Sequence, residues 1–230
     1  MTVNLAAGKE SMKILLCLML VFVFAPDVQA NVSCHCFKQR TYEPARPDSA
    51  DPYILATARN SLLAAASGIP KSDVVRARMT GAGENDLWFS QYLAMRTDTP
   101  SKTLKAARSR SQSWAEAIDS MKLPTEDLGP PFEAARRSGD DPGMSQALAD
   151  AALEKGFKVS GEVLSRLREA GAGNAEIALS LLLAQRTGRK PYDILDEVNL
   201  KKQTWGSALF SAGIAPESVS DLIAETFVAK

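Results

Sequence analysis

From Asp51 onward the apolar positions recur at helical steps. In "DPYILATARNSLLAAAS" the residues Leu55, Ala58, Leu62 and Ala65 fall three or four apart, which lays them along one face of a helix. Gly68 ends that run and Pro70 opens the next, the order in which glycine follows a helix end and proline precedes a start. The punctuation then repeats. Gly81-Ala82-Gly83 breaks the chain, Asn85 or Asp86 can cap a helix running to Thr97, and Pro100 begins another,. Trp114 lies in a helix from about Ser111 to Met121,. Further helices are predicted over Ser145–Gly156, Ser160–Ala170, Asn174–Thr187, Pro191–Val198, Lys201–Ala212 and Pro216–Ala229. Long stretches are rich in Ala, Leu, Glu, Arg and Lys while β-branched and aromatic residues are sparse, so the expected fold class is all-α.

The pattern also repeats on a larger scale. Gly81-Ala82-Gly83 matches Gly171-Ala172-Gly173, and Leu93-Ala94 and Arg96-Thr97 match Leu183-Ala184 and Arg186-Thr187, all 90 residues apart. After one inserted residue the spacing becomes 91, pairing Pro100 with Pro191, Leu104 with Leu195 and Trp114 with Trp205. Agreement of this kind implies an internal duplication. Two tandem helical units follow, residues 51–128 and 144–230, either packed together or loosely joined. Between them "GPPFEAARRSGDDPG", residues 129–143, has the paired prolines and Asp-Asp-Pro-Gly ending of a linker,.

Residues 1–30 read differently. Lys9 and Lys13 precede the apolar run "ILLCLMLVFVFAP", which is shorter than the ~20 apolar residues a spanning helix needs,. Its length and flanks are those of a signal peptide, with Val28 and Ala30 before a cleavage point at Asn31,. Translation from Met12 would give a complete signal opening as well. Asn31 stands where a bacterial lipobox wants Leu, which disfavours a lipid anchor at Cys34. The expectation is an exported protein, periplasmic or extracellular, with no membrane span in the mature chain. An extended arm, residues 31–50, then leads flexibly into the helices.

Charge narrows the function. The chain has 27 basic and 27 acidic residues, and removing Lys9, Lys13, Glu10 and Asp27 leaves 25 of each. A neutral surface has no electrostatic footprint for nucleic acid. The segment from Ala208 to Leu222 has the small and apolar spacing of a helix-turn-helix, but its second helix would present Glu217, Asp221 and Glu225 and no cation,. Nucleic acid is therefore not an expected partner. His35 is the only histidine, which removes histidine triads and zinc-protease helices from the helical body. There is no G-x-S-x-G elbow and no phosphate-binding glycine loop,. Trp114 and Trp205 read as core, and "SGDDPG" as a turn lacking the ligand spacing of a calcium loop,.

The segment "LLLAQRTGRKPYDILDEVNLKKQTWGSALFSAGI", about 35 residues, resembles a helical repeat of uncharacterised exported bacterial proteins with a pattern like SGKxxxEIxxxxxxGxxWGxIAxxLGI. In the first unit Trp114-Ala115 stands in place of Trp-Gly. The resemblance implies an exported helical protein and carries no activity.

The remaining candidate chemistry is Cys34-His35-Cys36, on the arm. The spacing lacks the second intervening residue and trailing His of haem attachment. Zinc would need a fourth ligand from elsewhere, whereas Cu(I) tolerates low coordination by soft thiolates. In an oxidising compartment a Cys34–Cys36 disulfide is the preferred state, closed in a tight and easily reduced ring. Two functions result. One is a non-enzymatic envelope protein whose helical units bind a protein partner, and the other is a thiol redox or Cu(I)-handling protein acting through Cys34, His35 and Cys36.

Overall fold

Helix begins where the apolar period begins. In the computed structural model, which describes residues 37–228, twelve helices run in order with no strand among the described residues. The first half holds α1 (Asp51–Ser67), α2 (Lys71–Met79), α3 (Glu84–Leu87, Trp88–Leu93 and Ala94–Arg96 in succession), α4 (Ser101–Arg108), α5 (Trp114–Met121) and α6 (Pro130–Ser138). The second holds α7 (Asp141–Phe157), α8 (Gly161–Glu169), α9 (Asn174–Thr187), α10 (Pro191–Asn199), α11 (Trp205–Ser211) and α12 (Val219–Val228). Short 3-10 turns, Glu126–Leu128 and Pro216–Ser218, precede α6 and α12. No described helix is long and apolar enough to cross a membrane.

One hydrophobic core runs through both halves, from Ile54 and Leu62 on α1 through Trp88 and Phe89 on α3 to Leu179 on α9 and Ile223 on α12. Its packing crosses the midpoint of the chain. α12 lies along α1, and α6 lies along α7. Each half therefore packs its last helix on the first helix of the other half.

Two carboxylates mark the same exchange. Asp51, at the start of α1, accepts from the backbone N–H of Trp205 at 3.1 Å and of Gly206 at 2.8 Å, at the start of α11. Ninety residues on, Asp141 accepts from Trp114 at 2.9 Å and Ala115 at 3.3 Å, at the start of α5. An anion at a helix start satisfies donors that have no partner within the helix. Burial lifts the Asp51 carboxyl above its ordinary value, although the two backbone donors oppose the shift,.

Several elements differ from the sequence expectations. Pro130–Ser138, within the expected linker, is a helix, and Asp141–Phe157 begins ahead of Ser145. Prolines are tolerated in a first turn because their missing N–H has no acceptor there. Asp140 caps α7 by accepting from Gly143 N–H at 3.0 Å, so "SGDDPG" is a helix start. α3 begins at Glu84 with Gly83 as its cap residue, and its centre, Trp88–Leu93, is a π-turn. Lys201 has φ of +54°, which ends α10 and delays α11 to Trp205. Residues 37–50 are not a flexible lead. They form tight turns against the body, with Tyr42 on Phe210 at 5.0 Å and Pro47 O accepting from Thr204 Oγ1 at 2.8 Å.

Candidate functional site

The Cys34-His35-Cys36 group lies outside the described residues, as does Cys17, so no cysteine or histidine stands among residues 37–228. No cluster of three or more potential metal ligands occurs among the described residues. Trp114 and Trp205 are buried core, each 2 % exposed. Trp114 donates from Nε1 to Asp86 Oδ1 at 2.7 Å and stacks on Phe89 at 4.7 Å. The Arg-Thr pairs end α3 and α9, where Thr97 and Thr187 donate to Leu93 O and Leu183 O.

A cleft of about 440 Å³ lies between α7, α8 and the start of α6. Its floor includes Ala147, Ala151 and Leu164, and Pro130 and Pro131 form one wall. That wall is fixed from behind. Arg136 on α6 pairs with Glu133 and with Asp119 on α5, and Glu133 Oε1 accepts from Thr125 Oγ1 at 2.7 Å. The Arg136 guanidinium holds the Glu133 carboxyl below the usual glutamate range.

Arg168 closes one end of the cleft. It donates from Nε and Nη2 to Asp150 Oδ1 at 3.1 and 2.6 Å, from Nη2 to Asn174 Oδ1, and from Nη1 to Ala172 O. This fork ties α8 to α7 and to the start of α9, and it uses Asp150 internally. Glu154 makes no ion pair among the described residues, and its Oε1 faces Gly161, where an added Cβ would lie 2.8 Å from it. The cleft thus offers an apolar floor, two carboxylates against one guanidinium, and rims with backbone and small residues. Nothing in it resembles a nucleophile held by a base.

The corresponding face of the first half, formed by α1 and α2, has a different fate. The positions 90 residues before Gln146, Ala147, Ala151, Glu154, Ser165 and Arg168 are Ala56, Thr57, Ser61, Ala64, Val75 and Arg78, and all six are buried. Phe37 packs on Ala56 and Val75, its ring edge-on to Tyr53 at 6.0 Å. Gln146, Glu154 and Ser165 are exposed by contrast. One face is covered with the help of the chain's own N-terminal side, and the other stands open among the described residues. Sequence reasoning missed the open cleft because neither Gln146 nor Ser165 carries a motif. The spacing of Asp51-Pro52 and Asp141-Pro142, also 90, was the signal that aligned the two faces.

No protein-family model, no curated protein and no solved structure matches the chain.

Proposed function

We propose that the protein is an exported, non-enzymatic binding protein of the bacterial envelope, and that the cleft between α7 and α8 takes an extended segment of a protein partner. The observation that carries this reading is the contrast between the two faces. Ala56 and Val75 receive a phenylalanine from the N-terminal segment of the same chain, whereas the matching face is open among the described residues. The side chains set what fits. Gln146 and Ser165 replace the apolar pair that holds Phe37, and Glu154 makes no ion pair among the described residues. A polar segment with a lysine or arginine over Glu154 suits the cleft better than an aromatic one.

Behind this reading stands a two-copy architecture. The helix order, the 90-residue spacing and the reciprocal Asp51 and Asp141 contacts support an internal duplication closed into a ring. Residues 1–30 are taken as a signal peptide, and the likeness of the α9–α11 region to repeats of exported bacterial proteins agrees with that address. A Cys34–Cys36 disulfide fits the same compartment.

A random decapeptide display library panned against the mature protein tests the function. Enrichment of lysine- or arginine-containing peptides is expected, with binding lost in Glu154→Lys and in Ser165→Trp, both exposed positions that leave the core untouched. Peptides that bind both variants as well as they bind the wild type, or a panning that enriches nothing, would refute the cleft as the binding site.

A further inference from the structure

Arg96 and Arg186 stand 90 residues apart at the ends of α3 and α9, in the matched Arg-Thr pairs. Four residues before each, the chain differs. Arg96 has Tyr92 there, and Arg186 has Leu182. In the first half the Tyr92 ring is 1 % exposed, and Arg96 donates from Nη1 to its Oη at 3.3 Å. The guanidinium lies 5.9 Å from the ring centroid and donates also to Asp127 O in the 3-10 turn beyond. A phenol ring is thus clamped under an arginine beside that turn.

In the second half the same place holds a pocket of about 310 Å³. Leu182, Ile214 and Leu222 form its apolar lining, and Arg186 and Glu225 are among its polar lining residues. Neither Arg186 nor Glu225 makes an ion pair among the described residues. Leucine is shorter than tyrosine and has no hydroxyl, so it leaves both the space of a ring and an arginine without its phenol.

We propose that this pocket binds a phenol ring. The ring lies on Leu182, Ile214 and Leu222, while its hydroxyl accepts from Arg186 and donates to Glu225. Both polar partners are used in their charged states, which strengthens each hydrogen bond. The guanidinium adds attraction for the ring face, as it does over Tyr92. The site is separate from the cleft between α7 and α8, sharing none of its lining residues.

Titration of the ¹⁵N-labelled mature protein with p-cresol, followed by amide chemical shifts, tests the assignment. Saturable shifts at Leu182, Ile214 and Leu222 are expected, with a Kd of about 1 mM, in keeping with so small a ligand. Toluene, lacking the hydroxyl, should bind about tenfold more weakly. Leu182→Tyr copies the first half and should abolish binding by filling the pocket, and Leu182→Phe should do so without the hydroxyl. Glu225→Gln, at an exposed position, should narrow the difference between p-cresol and toluene while leaving the apolar lining intact. N-acetyltyrosinamide binding at least as tightly as p-cresol would identify a tyrosyl side chain as the source, and a preference for p-cresol would identify a free phenol. Equal affinity for p-cresol and toluene, shifts elsewhere, or binding that survives Leu182→Tyr would overturn the proposal.

Discussion

At the scale of single residues, the same chemistry is used with opposite consequences for stability. Asp51 ionises less readily in the fold than in the unfolded chain because it is partly buried. The folded state therefore takes up a proton at higher pH than the unfolded state does. Its contribution grows as pH falls through the folded pKa and levels off below about pH 4. Glu133 is the reverse, since Arg136 favours its charged form. That contribution is present above about pH 4 and is lost as pH falls through the lowered folded pKa. Urea unfolding at about pH 7 and pH 4 should show the wild type gaining on Asp51→Asn, and on further acidification to about pH 2 it should lose its advantage over Glu133→Gln. A second residue-scale effect concerns Ser90 and Ser180, buried 90 residues apart with hydroxyls that find no partner among the described residues. Burying a hydroxyl without a hydrogen bond costs about 1–3 kcal/mol. Ser180→Ala should raise stability by roughly 1 kcal/mol, read as a higher urea midpoint at unchanged slope.

Elements were legible where their signals were local. Asn174–Thr187 emerges with its expected ends because Gly173 and Gly188 flank a continuous apolar period,. The π-turn of α3 and the helix within residues 130–138 were not legible, because both are selected by tertiary packing: Trp88 and Phe89 turn into the core, and α6 lies on α7. The arm shows the same limit from the other side. Its Pro-rich composition reads as extended, yet it is held by α11, and Gly206 explains how. A Cβ at Gly206 would lie 3.0 Å from Tyr42, 3.2 Å from Pro47 O and 3.4 Å from Asp51 Oδ1. The matched position on α5 is Ala115, so Trp-Gly in one half and Trp-Ala in the other follow from where the arm passes. Gly206→Ala should displace residues 42–50 while leaving α11 helical. Trypsin should then cut after Lys38 and Arg40 faster than in the wild type, and the loss of stability should be about 1 kcal/mol, within the usual range for a displaced surface contact and a weakened cap.

Across the whole molecule, the sequence leads to an expectation of two units and leaves their relation open, because the contacts between the first and last helices span most of the chain. Asp51 and Gly206 are 155 residues apart, and no periodicity reports such a pairing. The open cleft was illegible for a related reason: what distinguishes it from the face under Phe37 is coverage, which belongs to the assembled body. The exchange of terminal helices has a direct consequence. If α1 completes the second half and α7 completes the first, neither half alone holds a finished core. A fragment of residues 37–139 would expose the face of α1 that α12 covers, and a fragment of residues 140–230 would expose the face of α7 that α6 covers. Small domains have little margin against such a loss, since total stability is only ~5–15 kcal/mol. The intact protein should accordingly unfold in one cooperative transition, and each fragment alone should be largely unfolded by circular dichroism. An equimolar mixture should regain helix, because the contacts of α1 with α12 and of α6 with α7 can form between two chains as they do within one. Asp141→Ala in the second fragment should weaken that reassembly by about 2 kcal/mol, the scale of a carboxylate's hydrogen bonds to a helix start. Two fragments that fold independently, with no gain on mixing, would show that the halves are self-sufficient and that the reciprocal carboxylates only decorate a contact between them.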